Sequence, residues 1–167
     1  MVLRKIISGG QTGADQAGLH VGRTMGLETG GTAPKGFRTE RGNNPALKNY
    51  GLVETESSGY KRRTICNIEE ADGTVIFGNL DSLGSRFTIS EAVRREKPLL
   101  VNPTPQATAA WIEQNKIEVM NVAGNRYSKN PSLYAEVVAV LTTAIDILRK
   151  KSDVVAQTRN SHEHQTL

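Results

Sequence analysis

The sequence predicts an open α/β fold: a mostly parallel sheet with helices on both faces. Three observations carry that expectation. Short apolar, β-branched runs alternate with stretches of helical periodicity. Each run ends in a polar turn. The first of these turns, Ser8 to Gly13, is glycine-rich and opens at once into a helical pattern. Ligands of open parallel sheets lie beyond the carboxyl ends of the strands. The turns at 8–13, 78–84, 102–104 and 121–128 are therefore expected to gather on one edge.

Leu3 to Ile7 reads as the first strand, apolar enough to be buried in a parallel sheet. From Ala14 to Met25, residues Ala14, Ala17, Gly18, Val21, Gly22 and Met25 recur at three- and four-residue steps and share one helix face. Gly18 and Gly22 cost helix propensity, but on that face they let a helix approach a sheet closely. Gly26 to Gly36 is loop-like, with a short second strand near Glu28 to Thr32. A polar excursion containing Gly42, Pro45 and Gly51 then runs to Gly59; irregular connections this long are often functional.

Tyr60 to Ala71 reads as a helix, and Asp72-Gly73 turns the chain into a central strand, Thr74 to Phe77. A helix over about Ser85 to Arg95 follows the turn at 78–84. Pro98 to Val101 is a short strand. Thr104 can cap the next helix, with Pro105 in the tolerated first position, and that helix reaches about Asn115. Ile117 to Val122 is the last strand. The final helix spans Ser132 to Arg149, striped by Leu133, Val137, Leu141, Ile145 and Leu148. Residues 1–150 are thus expected to form one ligand-binding domain. Residues 151–167 are polar and are expected to form a disordered tail that could help build a homo-oligomer. His162 and His164 lie in that tail, a single His-Glu-His too sparse to define a metal site.

The chain has 167 residues, with 37% apolar and 23% charged, a soluble globular balance for one domain. It has no apolar run near the roughly 20 residues that cross a bilayer and no signal-peptide core. The single Cys66 excludes an internal disulfide framework and fits a reducing compartment. A cytoplasmic protein without a membrane partner is expected. The net charge of +4 is concentrated: Lys35 to Arg63 holds seven basic and three acidic residues. A basic loop beside a glycine-rich turn suggests a small anionic organic ligand. Nucleic acid is a poorer match, because aromatics are few and no reader motif is present.

The candidate site residues follow from these turns. Gly9, Gly10 and Gly13 bracket a tight turn whose backbone N–H groups, with the helix dipole, can receive phosphate or carboxylate oxygens; Gln11 and Thr12 add polar contacts. The pattern is neither G-x-G-x-x-G nor a P-loop. Asp15, in the first helical turn, either complements the helix N-terminus or accepts a hydrogen bond from a ligand. Gly84 and Ser85 place donors at a second helix start, and Thr88 and Glu91 share a face of that helix. Glu91 could orient a ribose or act as an acid or base. In a helix, Tyr60, Arg63, Thr64 and Asn67 fall on one side; Arg63 can grip a phosphate bidentately and Lys35 can act as a point charge. Arg126 is a further anion clamp, with Asn121 and Ser128 beside it. Cys66 reads as a small buried hydrophobe.

Several of these motifs together resemble one family. Ile7-Ser8-Gly9-Gly10-Gln11-Thr12-Gly13-Ala14-Asp15 resembles the opening of the putative molybdenum carrier proteins. So do Pro34-Lys35-Gly36, Tyr60 with Arg63-Thr64 and Asn67, Asp72-Gly73-Thr74, and Asn121-Val122-Ala123-Gly124 with Arg126 and Ser128. The resemblance covers about residues 3–149. It implies a Rossmann-like three-layer fold within a nucleotide-binding group that includes lysine-decarboxylase-like phosphoribohydrolases. Gly84, Thr88 and Glu91 resemble part of those enzymes' Pro-Gly-Gly-x-Gly-Thr-x-x-Glu stretch, though Asn79, Leu80 and Asp81 do not supply its Pro-Gly-Gly. Where family members commonly carry Cys-Pro-Lys-Gly, this chain has Ala33, so no thiolate stands there. The cofactor that the resemblance implies is the molybdenum cofactor, held through its phosphate and ring.

Three functional expectations result. The first is a carrier of a phosphorylated, nucleotide-like or pterin ligand. The second is an N-glycosidic hydrolase of nucleoside monophosphates, with Glu91 catalytic. The third is an interaction protein that uses the fold without a ligand.

Overall fold

The computed structural model describes residues 2–163, with side chains for residues 2–158. In chain order the first elements are β1 (Lys5–Ile7), α1 (Ala14–Thr24) and β2 (Glu28–Ala33). A small antiparallel ribbon follows, β3 (Arg38–Thr39) paired with β4 (Gly42–Asn43), and then β5 (Leu52–Glu54). The chain continues through α2 (Tyr60–Glu70), β6 (Gly73–Phe77), α3 (Leu83–Arg94), β7 (Leu99–Val101), α4 (Pro105–Gln114), β8 (Val119–Gly124) and α5 (Leu133–Glu163).

Six strands form one sheet in the order β5-β2-β1-β8-β6-β7, and every neighbouring pair is parallel. The expected α/β class is therefore the observed one. Alternation along β1 divides the core. Ile6, Met120 and Val122 join the large cluster with α1, α4 and α5, whereas Ile7 and Val119 pack with Ala71 behind α2. α5 lies against both α1 and α4, and α2 packs on α3, so the sheet is covered on both faces. The close approach expected of α1 is present. A Cβ at Gly18 would stand 2.7 Å from Cβ of Val122, and one at Gly22 would stand 2.6 Å from Cγ2 of Thr29.

Caps follow local chemistry. Thr104 Oγ1 accepts from the Ala107 N–H at 3.1 Å, with Pro105 in the first turn, as its sequence position implies. Ser82 caps α3 by accepting from the Ser85 N–H at 3.2 Å, so that helix begins two residues before the expected Ser85.

Two expectations change. The excursion to Gly59 is not structureless: it holds the β3–β4 ribbon and β5, which pairs with β2 at the sheet edge. The last helix does not stop at Arg149 but runs to Glu163, through most of the stretch expected to be a disordered tail. Lys150 to Thr158 contains no Gly or Pro to end it. The side chains of the His162–His164 pair lie outside the described residues. Among the described residues, no helix is long and apolar enough to cross a membrane.

Candidate functional site

Numbered from β8 rather than from the N-terminus, the strands follow a simple course. β8, β1, β2 and β5 step outward on one side; β6 and β7 step outward on the other. The direction reverses between β8 and β6, and such a reversal opens a crevice beyond the carboxyl ends of the strands. A cleft of about 1150 Å³ lies there. Its floor includes Ile76, Ala123 and Gly124 at the ends of β6 and β8. Its walls are the start of α2, the start of α3 and the turn after β8.

The first turn supplies one wall, through Gln11 and Asp15. Most of its backbone donors are already engaged within the protein. The Gln11 N–H donates to Asp15 Oδ2 at 3.2 Å, and the Gly9 N–H also serves that carboxylate. The Gly10 N–H donates to Ser8 Oγ, the Thr12 N–H to Gln11 Oε1, and the Ala14 N–H to the carbonyl of Asn125. The expected anion cradle thus holds the chain's own Asp15 carboxylate.

Arg63 completes this cluster from α2. Its Nη1 lies 3.2 Å from Asp15 Oδ2, and the two side chains are 15% and 3% exposed, respectively. Burial pushes the Asp15 carboxyl above the usual carboxylate range, while the Arg63 guanidinium and the Gln11 and Gly9 amides pull the other way. A Cβ at Gly9 would fall 1.8 Å from Arg63 Nη1, so the absence of a side chain there makes room for the guanidinium. The Arg63 Nε is buried without a hydrogen-bond partner.

Two further residues tie the strand-end loops together. Glu40, at the tip of the β3–β4 ribbon, accepts from the Thr12 hydroxyl and from both the backbone N–H (3.1 Å) and the hydroxyl of Ser128. Its own N–H donates to Gln11 Oε1 at 2.9 Å. Burial alone would raise the Glu40 carboxyl, but the hydrogen bonds from Ser128 and Thr12 outweigh it and hold the carboxyl below its ordinary range. Asn125 bonds the backbone of Asn79 in both directions and donates to Ser82 Oγ at 3.2 Å.

Of the expected site residues, Gln11, Asp15, Arg63, Gly84, Ser85, Thr88 and Arg126 line the cleft. Gly9 and Thr12 buttress it from behind. Gly13 belongs there too: a Cβ would meet the Asn125 carbonyl at 2.4 Å, and φ is +83°. Gly10 instead faces Leu47 and Leu52 in a separate apolar cluster.

Besides Gly10, three residues do not join the site. The Asn67 amide is spent on the backbone of Thr32, accepting from its N–H at 2.8 Å and donating to its carbonyl at 2.9 Å. Lys35 is exposed after β2 and is not in the cleft wall. Glu91 is captured by Arg94, at 2.8 Å, and by Arg95, one helical turn ahead of it. Those bonds lower its carboxyl below the ordinary range, and it does not line the cleft.

Sequence reasoning missed other lining residues. Lys61, Arg62 and Lys129 bring the lining to five basic side chains, against the two carboxylates of Asp15 and Asp81. The triplet Lys61-Arg62-Arg63 was visible as charge, but only the α2 start directs it to the strand ends. Leu83 and Phe87, four residues apart on α3, carried no polar signal at all. Among the described residues, no group of three or more His, Cys, Asp or Glu is gathered to hold a metal ion.

The chain is similar to a crystal structure of a putative molybdenum carrier protein from Syntrophus aciditrophicus. Identity is 35%, with 86% of this chain and 95% of that chain covered, and the TM-score is 0.78. None of the curated proteins compared matches. Residues 6–145 match a circularly permutated family, which accords with a strand order that becomes regular when counted from β8. The chain belongs to the circularly permutated YpsA SLOG family.

Proposed function

We propose that the protein is a non-covalent carrier of a phosphorylated, nucleotide-like or pterin ligand, seated in the strand-end cleft. The observation that carries this reading is the cleft's charge. Arg62, Arg126 and Lys129 line it and, among the described residues, form no ion pair. Cations that no ion pair neutralises, with only the Glu40 carboxylate near Arg126, favour an anionic occupant in a concave site. Arg126 and Arg62 can fork onto phosphate oxygens, and Lys129 supplies a point charge.

The similar structure is named a putative molybdenum carrier protein; the molybdenum cofactor is one candidate of that kind. The residues suit its organic part: Arg62, Arg126 and Lys129 for the phosphate, and an apolar wall for the ring. The metal would be carried by the cofactor's own sulfurs. With Glu91 held by Arg94 and Arg95, ribohydrolysis has no support from that carboxylate.

Calorimetric titration of the full chain with nucleoside monophosphates and with protected molybdopterin tests the reading. Binding that weakens about tenfold or more in Arg126→Ala and Lys129→Ala is expected, on the scale of one lost charge-assisted bond. Binding to neither ligand class would sink the proposal. Gly10→Val is unsuitable as a probe, because Gly10 packs against Leu47 and Leu52 rather than facing the cleft.

A further inference from the structure

The cleft is chemically divided. Its cations come from α2 (Lys61, Arg62 and Arg63) and from the turn after β8 (Arg126 and Lys129). α3 contributes Leu83, Gly84, Ser85, Phe87 and Thr88, and so no charged side chain. Leu83 and Phe87 are one helical turn apart and share a face. Leu83 is 87% exposed, although it stands in the wall of a concave site. Apolar Ile76 lies on the cleft floor.

The two aromatic rings of the cleft are not equivalent. Tyr60 already has two guanidinium groups near its ring, Arg38 at 5.6 Å and Arg63 at 5.8 Å from the centroid. Among the described residues, Phe87 has only the Lys61 ammonium, 5.8 Å away and reaching across from α2. Lys61 is an exposed, flexible side chain that can swing aside. An aromatic face opposite a movable cation, continued outward by an exposed leucine, suits a flat ring: apolar contact on one side and a cation over the other.

We infer that Leu83 and Phe87 form the ring subsite of the cleft, which takes the planar heterocycle of the ligand while its anion lies against Arg62, Arg126 and Lys129. This deepens the proposed function and rests on it. The occupant is then an amphipathic small molecule, a flat ring joined to a phosphate, rather than a sugar phosphate or an inorganic anion. Phe87 and Leu83 set the preference between them.

Calorimetry on the full chain with three probes decides the matter: adenosine monophosphate, neopterin monophosphate and ribose 5-phosphate. The wild-type chain is expected to bind at least one of the two ring-bearing phosphates about tenfold or more tightly than ribose 5-phosphate, the scale of one ring stacked on an aromatic side chain. Phe87→Ala and Leu83→Ser should erase most of that preference and leave ribose 5-phosphate binding unchanged. Arg126→Ala should instead weaken all the probes that bind. Leu83 is so exposed that its replacement leaves the fold intact, and thermal melts verify this for Phe87→Ala. If both α3 variants keep the wild-type preference, or if ribose 5-phosphate binds as tightly as the tighter of the two ring-bearing probes, the ring subsite is refuted while an anion-binding cleft survives. If no probe binds, both readings fail. A dimer that Leu83→Asp dissociates in sedimentation would make the lip an interface and overturn the inference.

Discussion

Replacing Arg63 by Met removes the positive partner of a carboxylate whose side chain is 3% exposed. Removing one member of a buried ion pair costs about 3–5 kcal/mol, because the other charge stays buried and uncompensated. Asp15 keeps the N–H groups of Gly9 and Gln11, and Arg63 is itself 15% exposed towards the cleft, so water can approach. Both effects set the loss at the low end, about 3 kcal/mol. For a chain of 167 residues this is a fall in Tm of about 6–12 °C. The loss depends on pH. Burial already raises the folded-state Asp15 carboxyl above its unfolded value, and losing Arg63 raises it further. The folded variant then binds a proton more readily than the unfolded chain. Its penalty is full above the folded-state value and shrinks as pH falls through it. Urea titrations at neutral and mildly acidic pH measure both effects. Adding Asp15→Asn should restore most of the loss, since an amide oxygen still accepts from Gly9 and Gln11 with no charge to bury. A loss under about 1 kcal/mol at neutral pH, the worth of an exposed pair, would refute the reasoning, as would an equal loss at both pH values.

Other perturbations probe separate parts of the frame. Gly18→Ala drives a methyl to 2.7 Å from Cβ of Val122 in a central strand; denaturant melts should show a loss of about 1–3 kcal/mol. Asn67→Leu strands the buried N–H and carbonyl of Thr32, for a loss of about 2–4 kcal/mol, with rapid amide exchange at Thr32 by NMR as the local signature. Glu40→Gln tests the loop tie. The wild-type carboxyl is held low in the folded state, so its contribution is present above the unfolded value and is lost as pH falls through the folded one. Thermal melts should therefore find the wild type more stable than Glu40→Gln at neutral pH, with the gap closing towards acid.

β1, β6 and β8 were legible because parallel strands buried on both faces are largely apolar: Ile6-Ile7 and Val75-Ile76-Phe77 are wholly so, and in β8 Met120 and Val122 flank the single polar Asn121. β5 was not. Three residues at a sheet edge, with Val53 exposed, carry too little pattern to separate them from the loops around them. The strand-end rule depends only on connectivity, and the cleft does lie among the turns at 8–13, 78–84 and 121–128, with Arg126 in its lining. It could not tell Asn67 from a ligand contact, because the Thr32 backbone that satisfies its amide lies 35 residues away. Glu91 was different: Arg94 and Arg95 at the third and fourth positions after it were visible in the sequence as competitors for its carboxylate. Leu83 and Phe87 escaped notice because an apolar residue announces a site only when the fold leaves it in a concave wall.

The glycine-rich turn that most suggested phosphate binding is better understood as a frame. A ligand phosphate placed there would meet the fixed carboxylate of Asp15, and two unit charges of like sign 4 Å apart repel by about 4 kcal/mol at a near-surface effective dielectric. The amides that would offset this repulsion already serve Asp15 and its neighbours. Across the cleft, Arg62 and Lys129 form no ion pair among the described residues, and Arg126 forms none either although it lies within reach of the Glu40 charge. Electrostatics therefore favours the anion on that side and gives the turn three mechanical tasks. Its bare Gly9 seats Arg63 against Asp15. Thr12 and Gln11 receive the Glu40 tip. Gly13 lets the chain pass under the Asn125 carbonyl, so the turns beside α1, α3 and β8 share one rigid edge. A side chain at Gly9 or Gly13 would disturb ligand binding by displacing these supports, without touching the ligand.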